Sequence, residues 1–232
     1  KRSFHQNTDY TEGRKVKNSR RARAMEKGTR YGRKAQEESW QNAEVDALYR
    51  LAAAGVRVPK PYNFHEGVLL MDLVTDSNGI AAPRLNEIVL TAELSREYHR
   101  ILIAEVVRML CAGIIHGDLS EYNVLVDNIG PVIIDLPQAI NAAANNQACT
   151  MLLRDVENLT IYFGQFPPEL LVTSYGREIW SLYQSGQLHP ESILTGHFEL
   201  INEPVDIQGV LREIDDTLKE EEARKLYRAL HA

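Results

Sequence analysis

The stretch HGDLSEYN (116–123), followed downstream by IID (133–135), is the most informative part of this chain. Short apolar segments at 123–126 and 132–134 lie between the two motifs, and the DNIG sequence (127–130) that separates them predicts a hairpin turn. Such a hairpin brings its two flanking motifs close to each other. The polar residues that meet there are Asp118, Asn123 and Asp135.

The spacing of these three residues is typical of protein kinases. In those enzymes one Asp positions the acceptor, an Asn five residues later holds a metal ion, and a second Asp after the hairpin holds the bridging metal ions. The Asn123 amide and the Asp135 carboxylate offer hard oxygen ligands that suit Mg²⁺, which leaves Asp118 as the catalytic acid/base. Each fragment alone also fits an ordinary turn or strand end. Their combination, in this order, predicts a site for phosphoryl transfer.

Helices and short strands are predicted on both sides of this segment. A helical pattern begins near residue 36 and stops at Gly55, and an extended segment (56–64) and an apolar strand (68–73) follow it. A long helix over 93–111 leads into the HGD loop. Downstream of the hairpin the patterns predict four further helices, over 147–163, 168–184, 190–195 and 207–231.

The two motifs closely resemble the signatures of RIO-type atypical protein kinases, which pair an HxDxxExN catalytic loop with an IDxxQ metal loop. The resemblance covers roughly residues 36–185, and it includes the absence of HRD, DFG and APE motifs. It implies a Mg²⁺-ATP-dependent (Mn²⁺ as an alternative) Ser/Thr kinase or an ATPase. It further implies that Asp135 is a catalytic residue able to carry an aspartyl-phosphate. The DLP sequence (135–137), which begins at the Asp of IID, is similar to that of bacterial members of the family.

The same resemblance assigns further residues. It places Glu44 on the helix whose Glu orients the ATP-binding Lys, and it places Met71, Asp72, Leu73 and Val74 at the adenine-binding hinge. An exposed helical Glu and a plain buried strand are the alternatives for these positions. Two residues have supporting roles: Asp155 is expected to hold the catalytic loop through its backbone, and Gln138 is expected either to shape the metal loop or to begin a helix.

The glycine-rich loop and the strand Lys of the family are not found in residues 1–35. The expected explanation is that these parts precede residue 1 in a longer protein. Residues 1–34 instead hold twelve Lys or Arg against three acidic residues, a net charge of +9, whereas the remaining 14 basic and 29 acidic residues give −15 and the total of −6. Such an arm attracts phosphate backbones, so contact with rRNA or a ribosomal particle is one expectation and a solvated loop is the other.

Two other classes of function remain open from the sequence. Aminoglycoside or choline phosphotransferases share an HGDxxxxN loop and a later metal-binding Asp, although SEY (120–122) and LPQ (136–138) favour the RIO pattern. A catalytically weak, RNA-associated scaffold is the alternative outside the enzymes, and it would use the basic arm.

The prediction is therefore an α+β, protein-kinase-like two-lobed fold with a partial N-lobe and a mainly helical C-lobe. Its expected divisions are a basic arm (1–35), the remainder of the N-lobe (36–75) and the C-lobe (76–232). ATP and either a protein acceptor or the chain itself are the expected partners. With only two cysteines and no apolar run of membrane-spanning length, the chain is expected to act in the cytoplasm, away from membranes.

Overall fold

A computed structural model of the chain describes residues 43–198. The chain separates into two compact units, Lys1–Phe198 and Glu199–Ala232, and all the described residues belong to the first. The basic arm, Trp40 and the predicted helix over 207–231 therefore lie outside the described residues, and the predicted domain division stays a prediction. No helix within 43–198 is long and apolar enough to cross a bilayer.

Helices and short antiparallel strands make up the described part, which confirms the α+β class. Residues 43–53 form helix α1. The remaining helices are α2 (Ala92–Cys111), α3 (Ala148–Phe163) and α4 (Tyr175–Gln184), with 3-10 helices at Leu85–Glu87, Glu121–Asn123 and Pro168–Val172. The strands are β1 (Pro61–His65), β2 (Val68–Met71), β3 (Ile114–Ile115), β4 (Val124–Val126), β5 (Pro131–Ile133) and β6 (Ile140–Asn141).

The strands pair in three separate two-stranded sheets, β1 with β2, β3 with β6, and β4 with β5. The turn between β1 and β2 contains Glu66 (φ 49°) and Gly67 (φ 81°), the two positive φ angles that a tight hairpin turn requires. In the second hairpin Val124 pairs with Ile133 and Val126 with Pro131, so the predicted hairpin is confirmed.

One hydrophobic core runs through the described residues, from α1 across α2 to α3 and α4. On α1, Leu48 and Leu51 face this core, as the helical spacing predicts. Helix α2 also begins and ends close to the predicted residues. Thr91 caps its first turn by accepting a hydrogen bond from the Leu94 amide, and Gly113 follows its end with φ 73°. The core therefore fixes α1 and α2 beside the segment that carries the motifs.

Two predicted helices differ from the structure. The segment 168–184 is divided, because Thr173 is extended and the Ser174 amide donates to the Gly196 carbonyl instead of continuing a helix. The segment 190–195 is not helical at all. The amides of Thr195 and Gly196 donate to the Glu178 carboxylate on α4, and these long-range hydrogen bonds hold the segment in an irregular path.

Candidate active site

The HGD loop follows the short strand β3 and is held from beneath by helix α3. The Asp155 carboxylate accepts hydrogen bonds from the Gly117 amide (2.8 Å) and the Leu119 amide (2.9 Å). From the same helix, Arg154 donates to the Gly117 carbonyl and Asn158 to the Leu119 carbonyl (3.0 Å). These residues lie on one face of α3, because their spacing is close to one helical turn. The predicted support of the catalytic loop by Asp155 is confirmed.

Burial strongly affects the Asp155 carboxyl. Its removal from water raises the pKa, while its two backbone hydrogen bonds and the neighbouring Arg154 act in the opposite direction. A carboxylate in this setting depends on its donors, since an unpaired buried charge would be very unfavourable. The hydrogen bonds to the loop are therefore important both for the shape of the loop and for the stability of α3 beside it.

His116 is almost fully buried and bridges the catalytic loop and the metal loop. Its Nε2 lies 3.0 Å from the Ile134 carbonyl, which can only accept, and its Nδ1 lies 3.3 Å from the Asp118 amide, which can only donate. These partners require a neutral ring with the proton on Nε2. These contacts give His116 a structural role between the two loops.

Asp118 is half-buried, with its carboxylate oriented by Gln138. The Gln138 side-chain Nε2 donates to Asp118 Oδ2 at 3.3 Å, and within residues 43–198 no hydrogen bond engages Oδ1. From the sequence, Gln138 could equally be a polar residue at a helix start, but no helix begins there and it contacts the predicted catalytic carboxylate. The sequence signal for this role is the IDxxQ pattern, which places Gln138 three residues after Asp135.

Asn123 ends the 3-10 helix just before β4, and hydrogen bonds hold both its side chain and its backbone. Its Nδ2 donates to the Asp118 carbonyl at 2.7 Å, and its own carbonyl accepts from the Ile134 amide at 3.0 Å. The first bond settles the orientation of the amide, so Oδ1 is the atom left to bind a cation. Through the second bond Asn123 is directly adjacent to the residue that precedes Asp135.

Asp135 follows β5 in a left-handed backbone conformation, with φ 68°. Such a conformation is uncommon outside glycine, although Asp tolerates it better than most residues, and strained residues of this kind often occur at functional sites. The Asp135 side chain is exposed. The sequence predicted Asp135 from its position after an apolar strand, but the left-handed backbone could not be read from that pattern.

The oxygen atoms of Asn123 and Asp135 form a donor set that suits Mg²⁺ or Mn²⁺. Within residues 43–198 no group of three or more His, Cys, Asp or Glu side chains is arranged to hold a metal ion. Mg²⁺ usually takes one or two protein oxygens and completes its octahedron with water and phosphate, and the Asn123 amide and the Asp135 carboxylate supply oxygens of that kind.

Glu44 is brought close to this site by helix α1. Partial burial raises the pKa of the Glu44 carboxyl, and the negative charge of the nearby Asp135 raises it further. Within residues 43–198 no basic side chain forms an ion pair with Glu44. The predicted helix Glu thus lies near enough to the predicted metal-loop Asp for their charges to interact, although they are 91 positions apart in the sequence.

The predicted hinge lies where β2 ends, on a different sheet from the metal loop. Met71 ends the strand, the Asp72 amide donates to the Lys60 carbonyl (2.9 Å), and the Val74 carbonyl accepts from the Ala82 amide (3.0 Å). Leu73 is highly exposed. Within the described residues the Asp72 carbonyl and the Val74 amide have no backbone partner, and no hydrogen bond joins this segment to Asp118, Asn123 or Asp135.

The loop that carries Asp118 and Asn123 leads into a hairpin that ends before Asp135, and this order is the one found in the catalytic core of protein kinases. The described α+β architecture matches that class. The family model of the RIO domain matches residues 1–174 of the 232. The chain therefore belongs to the RIO domain family.

Curated relatives agree with this assignment. The RIO-type serine/threonine-protein kinase Rio1 of Haloferax volcanii is 40% identical over 133 residues, which cover 54% of this chain and 42% of the relative. The corresponding protein of Methanocaldococcus jannaschii is 35% identical over 127 residues (54% and 42%). The serine/threonine-protein kinase rio1 of Schizosaccharomyces pombe is 34% identical over 127 residues (53% and 25%). The chain thus spans less than half of the length of each of these relatives.

These relatives do not favour the phosphotransferase alternative, because all three carry names of RIO-type or Ser/Thr protein kinases. They come from archaea and a eukaryote, so the expected bacterial origin stays a prediction. The individual roles predicted for the site residues are likewise proposals.

Proposed function

We propose that the complete protein is a RIO-type Ser/Thr kinase or ATPase that takes the γ-phosphoryl group from ATP with Mg²⁺ as its metal ion and Mn²⁺ as an alternative. The observation that carries the proposal is the connected cluster of Asp118, Asn123 and Asp135. Asn123 contacts Asp118 directly and bonds to the residue that precedes Asp135. Its geometry suits phosphoryl transfer, in which positioning and charge stabilisation supply most of the catalysis.

Within this cluster each side chain has a distinct task. Asn123 Oδ1 and the Asp135 carboxylate hold the metal ion, which when bound neutralises the charge of the phosphate groups. Asp118 uses the oxygen that Gln138 leaves open, Oδ1, to orient an acceptor hydroxyl and take its proton. Glu44, whose charge interacts with that of Asp135, would orient a cationic side chain that contacts the phosphates.

The hinge segment is proposed to bind the adenine ring. An adenine edge presents one donor and one acceptor, which complement the Asp72 carbonyl and the Val74 amide, both without a backbone partner in residues 43–198. Met71 and Leu73 provide apolar surface next to these groups, since both are exposed. The Tyr62 hydroxyl donates to the Asp72 carboxylate (2.6 Å), which supports the backbone of the hinge from the neighbouring strand.

The acceptor distinguishes the kinase from the ATPase. As a kinase, the protein would phosphorylate a hydroxyl of another protein or of its own chain. As an ATPase, Asp135 would attack the γ-phosphorus to give an acyl-phosphate and ADP, and water would then release phosphate. The exposure of Asp135 keeps this second route open to water.

A reducing, cytoplasmic setting belongs to the same proposal and is supported by the free thiols of Cys111 and Cys149.

The test is Mg²⁺-dependent ATP turnover and autophosphorylation of the full-length protein, measured for wild type, Asp118→Asn and Asp135→Asn. Asp46→Asn is the matched control, because Asp46 is an exposed carboxylate on the helix that carries Glu44. Both site variants should lose at least about 100-fold in turnover while the control stays near wild type. A wild-type protein that binds no Mg²⁺-ATP would refute the proposal.

The chemistry of the label then separates the two routes. An acid-stable phosphate indicates transfer to a Ser or Thr hydroxyl. A label that hydroxylamine removes, and that Asp135→Asn abolishes, indicates the acyl-phosphate.

A further inference from the structure

Arg57 is bonded to three different elements, although it lies in a short connection outside the predicted site. Its amide donates to the Glu105 carboxylate on α2 (3.1 Å), and its carbonyl accepts from the Ile133 amide on β5 (2.8 Å). Its guanidinium donates to the Asp127 carboxylate in the β4–β5 turn (2.7 Å). The backbone amide, the backbone carbonyl and the side chain of Arg57 thus each form a hydrogen bond, and each bond joins Arg57 to a different element.

The two carboxylates that receive Arg57 are themselves firmly held. Glu105 is only 2% exposed and also accepts from Arg108 at 2.7 Å, so its buried charge is paired. Asp127 accepts from the amides of Ile129 (2.8 Å) and Gly130 (2.9 Å), which fixes the turn around it. Arg57 therefore binds to rigid partners, and its own position is well defined.

The connection from Arg57 back to helix α1 is equally short. The helix ends in a Schellman motif, in which the Gly55 amide donates to the Ala52 carbonyl (3.2 Å) and the Val56 amide to the Leu51 carbonyl (3.0 Å). Val56 is buried in the core together with Leu51. Because no flexible residue lies between this motif and Arg57, a fixed Arg57 also fixes the end of α1.

We infer that Arg57 is a positioning residue that locks helix α1, and Glu44 on it, to the strand that leads into Asp135. The Arg57 carbonyl is bonded two residues before Asp135, at Ile133, and the helix that carries Glu44 ends just before Arg57. The Arg57 cluster, which comprises Arg57, Glu105, Arg108 and Asp127, therefore ties the end of the helix that carries Glu44 to the strand before Asp135. In a kinase, this connection would hold the helix in its productive place. This last consequence rests on the proposed function, whereas the locking itself does not.

The experiment is hydrogen–deuterium exchange of backbone amides in the chain without nucleotide, for wild type, Arg57→Met and Arg57→Lys. Met keeps the length of the side chain and removes its charge, while Lys keeps a donor for Asp127. Arg96→Met is the matched control, since it breaks the Arg96–Glu169 ion pair (2.6 Å) between α2 and the 3-10 helix Pro168–Val172. Asp127→Asn, which changes the partner and leaves Arg57 intact, is the second variant in case Arg57→Met does not fold.

Arg57→Met and Asp127→Asn should each speed exchange in 43–53 by about fivefold or more, while α3 stays unchanged. Arg57→Lys should restore most of the protection, and Arg96→Met should leave 43–53 as in wild type. Equal acceleration in α1 and α3 would mean that Arg57 only adds global stability, and that result, or no acceleration, overturns the inference. ATP turnover is not measured here, so a failure of the proposed function is seen separately.

Discussion

At the scale of single residues, a neutral amide orients the predicted catalytic carboxylate. Gln138 donates to Asp118 Oδ2, so the position of Oδ1 depends on this contact. In Gln138→Ala the carboxylate loses a donor and gains rotational freedom, and we expect kcat for ATP turnover to fall about tenfold with less than about a twofold change in KM for ATP. The measurement is steady-state kinetics of the full-length protein.

Gln147→Ala is the control for this prediction, because Gln147 is also a glutamine of the same region but has an exposed side chain without a capping hydrogen bond. Its kinetics should match wild type. A Gln138→Ala variant with unchanged kcat would show that Asp118 needs no such support, and a rise in KM alone would place Gln138 in nucleotide binding instead.

His99 is a buried histidine whose protonation should limit stability in acid. It lies against Phe163 and Tyr175, its Nε2 is 3.2 Å from the Thr160 hydroxyl, and burial lowers its pKa from 6.5 to about 4. In the unfolded chain His99 therefore takes up a proton near pH 6.5, whereas in the folded protein it takes up the proton only near pH 4. As the pH is lowered across this window, the free energy of unfolding should fall by about 3 kcal/mol. Below the window, His99 should cause no further loss.

Urea unfolding at several pH values tests this expectation when wild type is compared with His99→Gln. Gln can keep a hydrogen bond to Thr160 but cannot titrate, so the difference between the two curves isolates the histidine from the carboxylates that also titrate in acid. Parallel curves for the two proteins would contradict the prediction.

At the scale of elements, helix α1 depends on the glycine that ends it. Gly55 has φ 75°, and a Cβ built there would have no heavy atom within 4 Å. A substitution at this position therefore meets no steric obstacle, and its effect comes from the left-handed backbone alone. Gly55→Ala should lower the free energy of unfolding by about 1 kcal/mol, and Gly55→Asn by less, because Asn tolerates this conformation. Chemical denaturation measures both, and equal stability of the Ala variant and wild type would be the contrary result.

The elements that the sequence predicted well are those whose ends are set by local chemistry. Helix α2 has an N-cap at Thr91 and a glycine after its end, and both hairpins have turn residues of the right kind. The errors lie elsewhere, near α4. There the Ser174 amide and the Glu178 carboxylate bond to residues about 20 positions away, and such partners leave no trace in hydrophobic periodicity.

At the scale of the whole molecule, the sequence predicted which residues form the site better than it predicted how they are held. The spacing of the motifs was enough to predict Asp118, Asn123 and Asp135 as site residues. In contrast, the hydrogen bonds of Gln138 and Arg57 depend on the packing of several elements, and no periodic pattern indicates them. The hinge strand shows the same limit. Its apolar residues suggest a buried strand, yet 70% of the Val68 surface is exposed to solvent.

The uneven charge of the chain gives the remaining prediction, which concerns RNA. Residues 1–34 carry +9, outside the described part, while the rest of the chain carries −15 and should repel nucleic acid. If the arm contacts RNA, the substitution of Arg20, Arg21 and Arg23 by Ala should weaken binding of rRNA fragments and make the logarithmic salt slope shallower by about one unit per lost phosphate contact. Filter binding over a range of salt concentrations measures both quantities.

The control for the RNA prediction removes the same number of charges from a different surface. Lys60, Arg100 and Arg177 are exposed basic residues outside the arm, and their joint replacement by Ala should leave the salt slope as in wild type. If the two triple variants bind RNA equally, binding reflects net charge alone. If neither variant nor the wild type binds at moderate salt, the arm is a solvated segment of a kinase, and the partner of this protein must be recognised elsewhere.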